Sequence, residues 1–417
     1  MTLRMLRCIA VFVCLCPLWA FAEDWTEFRG PTGQGHSTAT GLPVHWSDTE
    51  NVRWKVDVPG KGWSSPIVVH GRIYLTTAVV PEGDNGNDRS LRAICLDAAT
   101  GNTVWDVEVF EQTDATTHIH GKNSHASPTP ITDGQHVFVH FGTNGTACLT
   151  LDGRVVWRNR DLVYDPRHGS GGSPVLVDDL LVVSCDGHDV QFVAALDRKT
   201  GEIRWKKERP SSDSIKKFAF CTPLVIAAEN RRQIVSVGAN SVVAYDPADG
   251  SEIWMLRHPG YSTIPRPVFA HGLVYVCTSF DQSRLLAIRP DGRGDVTDTH
   301  VEWESQRGAP HSPSLLAVGD DLYAISDKGI LSCFDAETGE VRWTHRVGGN
   351  FSASPLFADG KIYLQSEEGV GTVFAPGAEY EELARNDMKA PSLASYAVDG
   401  TALLIRTEGQ LFRIEGR

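Results

Sequence analysis

The chain has 417 residues, with 39 basic and 52 acidic side chains, a formal net charge of −13 and 41% hydrophobic residues. So acidic a balance argues against nucleic acid as a partner. Length alone predicts two or three domains, a count that only an internal repeat overrides.

The first 22 residues read as an address rather than as structure. Arg4 and Arg7 form a positive start, Cys8–Cys16 is an apolar run, and Ala20-Phe21-Ala22 supplies a small-x-small cleavage pattern. The run is shorter than the roughly 20 residues of a membrane span, and Leu15 is too bulky for a lipobox at Cys16. Residues 1–22 are therefore expected to be a signal peptide, with Glu23 as the new N-terminus. The exported chain would be periplasmic or extracellular, with no transmembrane segment after cleavage. Its charge would be 37 − 52 = −15. Of nine cysteines six then remain, Cys95, Cys148, Cys185, Cys221, Cys277 and Cys333, about one per repeat. With no CxxC or adjacent pair, they are expected to be buried free thiols.

Residues 23–50 form an N-terminal extension, and from residue 51 two phrases alternate to the end. The first is an apolar strand, an Asp-x-x-Thr-Gly turn and a strand carrying tryptophan. Asp97 and Gly101 precede Trp105, Asp197 and Gly201 precede Trp205, and Asp335 and Gly339 precede Trp343. Variant copies precede Trp157, Trp254 and Trp303. In each, Asp can accept backbone N–H bonds while Gly takes positive φ. With Trp54 the tryptophans recur every 40 to 52 residues, the length of a four-stranded propeller blade. The second phrase opens an apolar run at Ser65-Pro66, Ser127-Pro128, Ser173-Pro174, Thr222-Pro223, Arg266-Pro267, Ser312-Pro313 and Ser354-Pro355. An eighth start at Ala394-Ser395-Tyr396 has lost the proline.

Eight starts predict an all-β, eight-bladed propeller of four-stranded blades over 51–417. The last repeat stops without its tryptophan strand, while Val52–Val56 is such a strand with no blade before it. Pairing the two closes the ring and removes two exposed edges. Blade 7 alone lacks a tryptophan, and Tyr380-Glu381-Glu382-Leu383 is expected in its place.

The Asp-x-x-Thr-Gly-x-x-x-Trp phrase resembles the repeat of the PQQ-like (pyrrolo-quinoline quinone) propellers, which include quinoprotein dehydrogenases and the assembly lipoprotein BamB. Asp24–Pro31, Gly62–Pro66 and Gly349–Pro355 are similar to an exported bacterial subgroup. For a dehydrogenase the resemblance implies adjacent cysteines over the quinone, calcium-binding carboxylates and a catalytic Asp. The chain has no Cys-Cys and no haem motif, and its repeat Asp residues serve turns. No cofactor is therefore expected, PQQ being the one the family would supply.

The connections between blades and the loops between second and third strands share one face, where long loops gather. His118 and His120 are alternate residues in a long loop, an arrangement more typical of solvated histidines than of a metal site. Glu82, Asp84, Asn85, Asn87 and Asp88 depart from a calcium loop, with Gly86 at a ligand position. No metal is expected. Arg293-Gly294-Asp295 is read as a coincidental turn. The stretches before the inner strands place Lys61, Lys122, Arg167, Lys216, Lys217, Arg307 and Lys389 around the funnel, with Arg266 at a strand start. Trp63, His125, His168 and His311 lie between them. This rim is a candidate anion-binding ring, against the plainer reading of solvated loop charges.

No catalytic constellation is assembled in the sequence. The expected role is thus a non-catalytic binding or scaffolding propeller presenting its loop face or funnel. Its partner would be an envelope or extracellular protein or peptide, or an anionic small molecule or glycan. The alternatives are a PQQ-dependent oxidoreductase and an anion- or sugar-binding funnel.

Overall fold

The structure, a computed structural model, describes residues 23–83, 88–113, 119–210, 216–281 and 283–416. They form eight sheets, antiparallel but for one added edge strand, arranged as an eight-bladed propeller. Blade 1 runs from its inner to its outer edge as Ile67–Val69, Arg72–Val79, Arg89–Asp97 and Thr103–Gln112. Blades 2 to 7 repeat that order, their inner strands starting at Ile131, Val175, Leu224, Val268, Leu316 and Leu356. Blade 8 takes three strands from the C-terminal end, Ala397–Asp399, Ala402–Arg406 and Gln410–Glu415. Its outer strand is Val52–Asp57, running antiparallel with Val52 opposite Ile414 and Asp57 opposite Gln410. The expected closure is therefore the one observed.

Burial follows from this stacking. Inner strands lie between two neighbouring blades and are apolar on both faces, whereas Val52–Asp57 alternates half-buried with exposed residues. The core is a series of interblade layers, such as Val139 and Leu149 of blade 2 against Ile67 and Cys95 of blade 1. The six cysteines among the described residues are buried free thiols, and burial pushes Cys95, Cys148, Cys221 and Cys333 up to about 12. No helix among the described residues is long and apolar enough to cross a membrane.

The repeat phrase works as a staple between blades. In Asp97-to-Gly101 the carboxylate accepts Thr100 N–H at 3.0 Å, and Gly101 turns at φ +75°. Trp54 of blade 8 lies over that turn and donates its indole N–H to Ala98 O at 3.0 Å. A Cβ at Gly101 would stand 2.9 Å from the Trp54 ring, so glycine is required for the indole as well as for the turn. Trp105, Trp157, Trp205, Trp303 and Trp343 donate in the same way to Leu151, Arg198, Pro247, Ala336 and Gly377. Trp254 departs from the pattern. The next turn is widened, and Gly294–Asp295 adds a fifth, parallel strand along the Trp254 edge. Trp254 donates instead to Gln233 Oε1 at 2.8 Å, and Gln233 Nε2 donates to Pro290 O at 3.0 Å.

Blade 7 corrects the expectation for Tyr380–Leu383. Register places Ala384 opposite Val373, where blade 6 pairs Trp343 with Cys333. Tyr380 lies before the strand and stacks on His345 at 3.8 Å. An indole of the extension packs on this blade, although its ring N–H, unlike those of the repeat tryptophans, has no partner among the described residues. Trp46, 2% exposed, packs on Tyr363 with ring centroids 6.3 Å apart, as Trp343 packs on Tyr323 in blade 6. Asn386 fixes it, accepting Trp46 N–H at 2.9 Å and donating to Val44 O at 2.9 Å.

The earlier part of the extension seals the ring from the turn side. Trp25 bridges Val68 of blade 1, and Thr26 O accepts the Thr132 N–H of blade 2. Gln34 Oε1 accepts Phe269 N–H of blade 5, His36 Nε2 meets Ala317 O of blade 6, and Gly35 O accepts Phe357 N–H of blade 7. Arg29, 2% exposed, donates to Leu315 O at 2.6 Å. Residues 24–37 thus touch five blades from below.

Two buried histidines carry a pH dependence. Burial lowers both His140 and His258 to about 4, against about 6.5 in an unfolded chain. The unfolded state therefore binds more protons between those values, and stability present above pH 6.5 is lost as pH falls toward 4. Urea midpoints measured from pH 7.5 to 4.5 should drop, and His140→Gln, which cannot titrate, should flatten the decline. An equal slope in the variant would contradict this account.

Candidate funnel site

A cavity of about 490 Å³ opens at the centre of the loop face, closed from below by Phe28 of the extension. Its floor is a ring of side chains, one per blade, immediately before or at the start of each inner strand. Ser65 N–H donates to Thr129 Oγ1 at 3.0 Å, Thr129 N–H to Ser173 Oγ at 2.9 Å, and Ser173 N–H to Thr222 Oγ1 at 2.9 Å. On the other side Arg266 N–H donates to Ser314 Oγ, Ser314 N–H to Ser354 Oγ, Ser354 N–H to Ser395 Oγ and Ser395 N–H to Ser65 Oγ, at 2.9–3.1 Å. The Ser-Pro phrase is thus the source of a hydrogen-bond chain round the floor, broken between Thr222 and Arg266. In blades 2 and 6 the ring residue is Thr129 or Ser314, two beyond Ser127 and Ser312.

Arg266 stands at the one ring position without a hydroxyl. It is 3% exposed and lies in the floor, not on the rim where the sequence placed it. Its guanidinium is fully engaged, donating to Pro223 O at 3.0 Å and Phe28 O at 2.7 Å and pairing with Glu27 Oε2 at 2.7 Å. This arginine pins the extension to the ring.

The other predicted rim cations do not come together. Of the predicted set, Trp63, Lys122 and His168 line the cavity. Lys122 Nζ is paired with Glu367 Oε1 at 2.7 Å, and that carboxylate also accepts Ser352 Oγ–H. Lys61, paired with Glu408, lines a side pocket with His125, which burial lowers to about 4. His125 Nδ1 is 2.8 Å from Gln112 Oε1. Arg307 and His311 line another groove, and the His311 ring also meets Phe280 of the cavity at 4.6 Å. Arg167 is exposed, Lys217 is half-buried, and Lys216 pairs with Asp281 while Lys389 pairs with Asp48. Carboxylates of neighbouring loops hold Lys61, Lys122, Lys216 and Lys389, and the Lys216 and Lys61 ammonium groups also lie over the cavity-lining rings of Tyr261 and Trp63, at 4.8 and 6.0 Å.

What the cavity has instead is an aromatic arc that residue spacing did not reveal. His168, Phe218, Tyr261 and Phe280 follow one another at centroid distances of 5.2, 5.3 and 6.2 Å, with Phe220 beside Phe218 at 5.8 Å. The backbone holds these rings in place. Phe220 N–H donates to Thr263 O, Ser262 N–H to Phe218 O, and Phe280 N–H to Tyr261 O. Ser262, Ser279 and Asp281 adopt left-handed φ of 56°, 55° and 71° to make these turns, local strain of the kind that gathers at binding sites. Phe218 and Phe220, four and two positions before Thr222, and Tyr261, five before Arg266, were the signal available in the sequence. The lining also includes the polar residues Asn123, Ser127, Ser312, Asp327 and Ser352.

No group of three or more metal-ligating side chains is found among the described residues. His120 and His168 are in ring contact at 5.7 Å. His118 and Asp84–Asn87 lie outside the described residues. Glu82 and Asp88 flank that gap. In Arg293-Gly294-Asp295 the Asp295 carboxylate is held by Arg257 and Thr297, within the added edge strand of blade 4.

A family model described as outer membrane protein assembly factor BamB matches residues 37–212, 189–319 and 300–411. The chain belongs to this BamB-like family of PQQ-repeat propellers. The solved structure of BamB from Moraxella catarrhalis is similar, with TM-score 0.61 and 15% identity, over 87% of this chain and 97% of that one. A europium-containing methanol dehydrogenase is also similar, with TM-score 0.66 and 9% identity, over 93% of this chain and 90% of that one. At such identities the likeness is one of fold. None of the curated proteins matches the chain.

The quinone that gives the repeat its name is a tricarboxylate, which offers a test of fit. The described lining holds one lysine, already neutralised by Glu367, and a carboxylate, Asp327. The floor arginine is neutralised by Glu27. The cysteines are separate buried thiols. These residues do not fit a trianionic cofactor.

Proposed function

We propose that this BamB-like propeller is an exported, non-catalytic binding protein that docks an envelope or extracellular partner on its loop face, with the funnel as anchor. The observation that supports it is a dead-ended, preorganised cavity walled by locked aromatic rings and floored by hydroxyls. Ligand sites of about 300–1,000 Å³ are typically built this way, apolar walls with a few placed polar groups. Family membership supports a protein partner, and the sequence of residues 1–22 supports export.

A photo-crosslinking residue at Phe280, compared with one at His271 on the opposite face, tests the reading in native envelopes. Adducts are expected from position 280 and not from 271. Equal labelling from both, or quinone- and metal-dependent dye reduction by the purified protein, would overturn it.

A further inference from the structure

Seven hydroxyls of the floor, on Ser65, Thr129, Ser173, Thr222, Ser314, Ser354 and Ser395, all line the cavity and are all more than nine-tenths buried. Each accepts an N–H from the adjacent blade, and none donates its own proton to a described protein acceptor. A serine or threonine hydroxyl has one proton to give, so the ring offers seven donors converging on one axis. The walls above are different in kind. They carry the faces and edges of Phe218, Phe220, Tyr261 and Phe280. Beside these rings stand Asn123, whose amide donates to His168 O, and Asp327, whose carboxylate accepts His311 N–H and Ser312 Oγ–H and keeps lone pairs toward its surroundings.

Three ligand chemistries can be weighed against that lining. An apolar side chain would cover the floor hydroxyls and leave their protons without acceptors, which is unfavourable. An anion would find its one lining cation paired and would face Asp327. An uncharged molecule dense in oxygen, with flat C–H faces, satisfies both halves. Its ring and glycosidic oxygens accept from the floor, its hydroxyls donate to Asp327 and Asn123, and its polarised C–H groups lie on the electron-rich aromatic faces. Resting on the reading of the chain as a binding propeller, we infer that the funnel takes the end of an uncharged carbohydrate chain. Its specificity lies in the floor hydroxyls and the aromatic arc, not in the loop cations.

The test is titration of the mature protein, by calorimetry and saturation-transfer NMR, with maltose, cellobiose, N,N′-diacetylchitobiose and a digalacturonate. Binding of at least one neutral disaccharide in preference to the digalacturonate is expected. It should weaken at least tenfold in Phe280→Ala, whose ring is 38% exposed and removable without a core cavity, and in Thr222→Val. Lys217→Ala with Arg307→Ala should leave it unchanged. Preference for the acidic sugar, or no neutral sugar bound at millimolar concentration, overturns the inference. Crosslinks from position 280 to a protein partner that persist without any sugar binding would overturn it while leaving the binding-propeller reading intact.

Discussion

Replacing Trp46 with alanine is expected to lower unfolding stability by about 3–5 kcal/mol, the cost of removing a buried aromatic side chain. The indole is enclosed by Tyr363 of blade 7 and by Tyr396 of blade 8, at 6.3 and 6.4 Å. A Cβ at Gly371 would stand 2.5 Å from it, so the blade is shaped around this ring. Blade 7 has no tryptophan of its own to fill the space, because Ala384 occupies that register. Denaturant melts followed by far-ultraviolet circular dichroism will measure the loss, with Trp46→Phe expected to recover part of it. A loss under about 1 kcal/mol would mean that the extension merely covers this interface and does not complete it.

Glu27→Gln should cost a similar amount for a different reason. The Arg266 side chain is 2% exposed and Glu27 supplies its counter-charge at 2.7 Å. Removing one partner of a buried ion pair leaves the other charge uncompensated, at about 3–5 kcal/mol. The double variant Glu27→Gln with Arg266→Ser provides the check. It removes both charges and gives the floor ring its eighth hydroxyl, in place to accept Thr222 N–H. Stability of the ring should return to within about 1 kcal/mol of the parent. The extension, having lost its pin, should show faster amide exchange over residues 24–30. A double variant as unstable as the single one would assign the loss to something other than the unpaired guanidinium.

The fold was legible because its signals are local and repeated. A turn of the Asp97-to-Gly101 kind prescribes its own conformation, and a tryptophan strand at each end of the ring calls for a partner. The site was less so. Lys61, Lys122 and Lys389 each sit where the spacing puts them, but a flexible ammonium goes to the nearest carboxylate, here Glu408, Glu367 and Asp48. Those carboxylates lie on distant parts of the chain. The aromatic arc draws on three blades, and nothing in the spacing of Phe218, Tyr261 and Phe280 says that they meet. Arg266 could be seen to break the Ser-Pro series, but its partner Glu27 lies in a segment with no repeat to align it. Trp46 was invisible for the same reason.

The closure of blade 8 sets an order on how the molecule comes into being. Arg406 donates to Ser64 across 342 residues of sequence, and Ser395 to Ser65 across 330. Contacts so remote in sequence carry a large loop-closure penalty and form late. Through most of synthesis Val52–Asp57 has no strand to pair with, and it presents a bare strand edge of the sort that captures other chains. A transcript cut short before codon 410 would yield blades that fold in part but a circle that never shuts. Such a product would leave strand edges unpaired and invite proteolysis or aggregation.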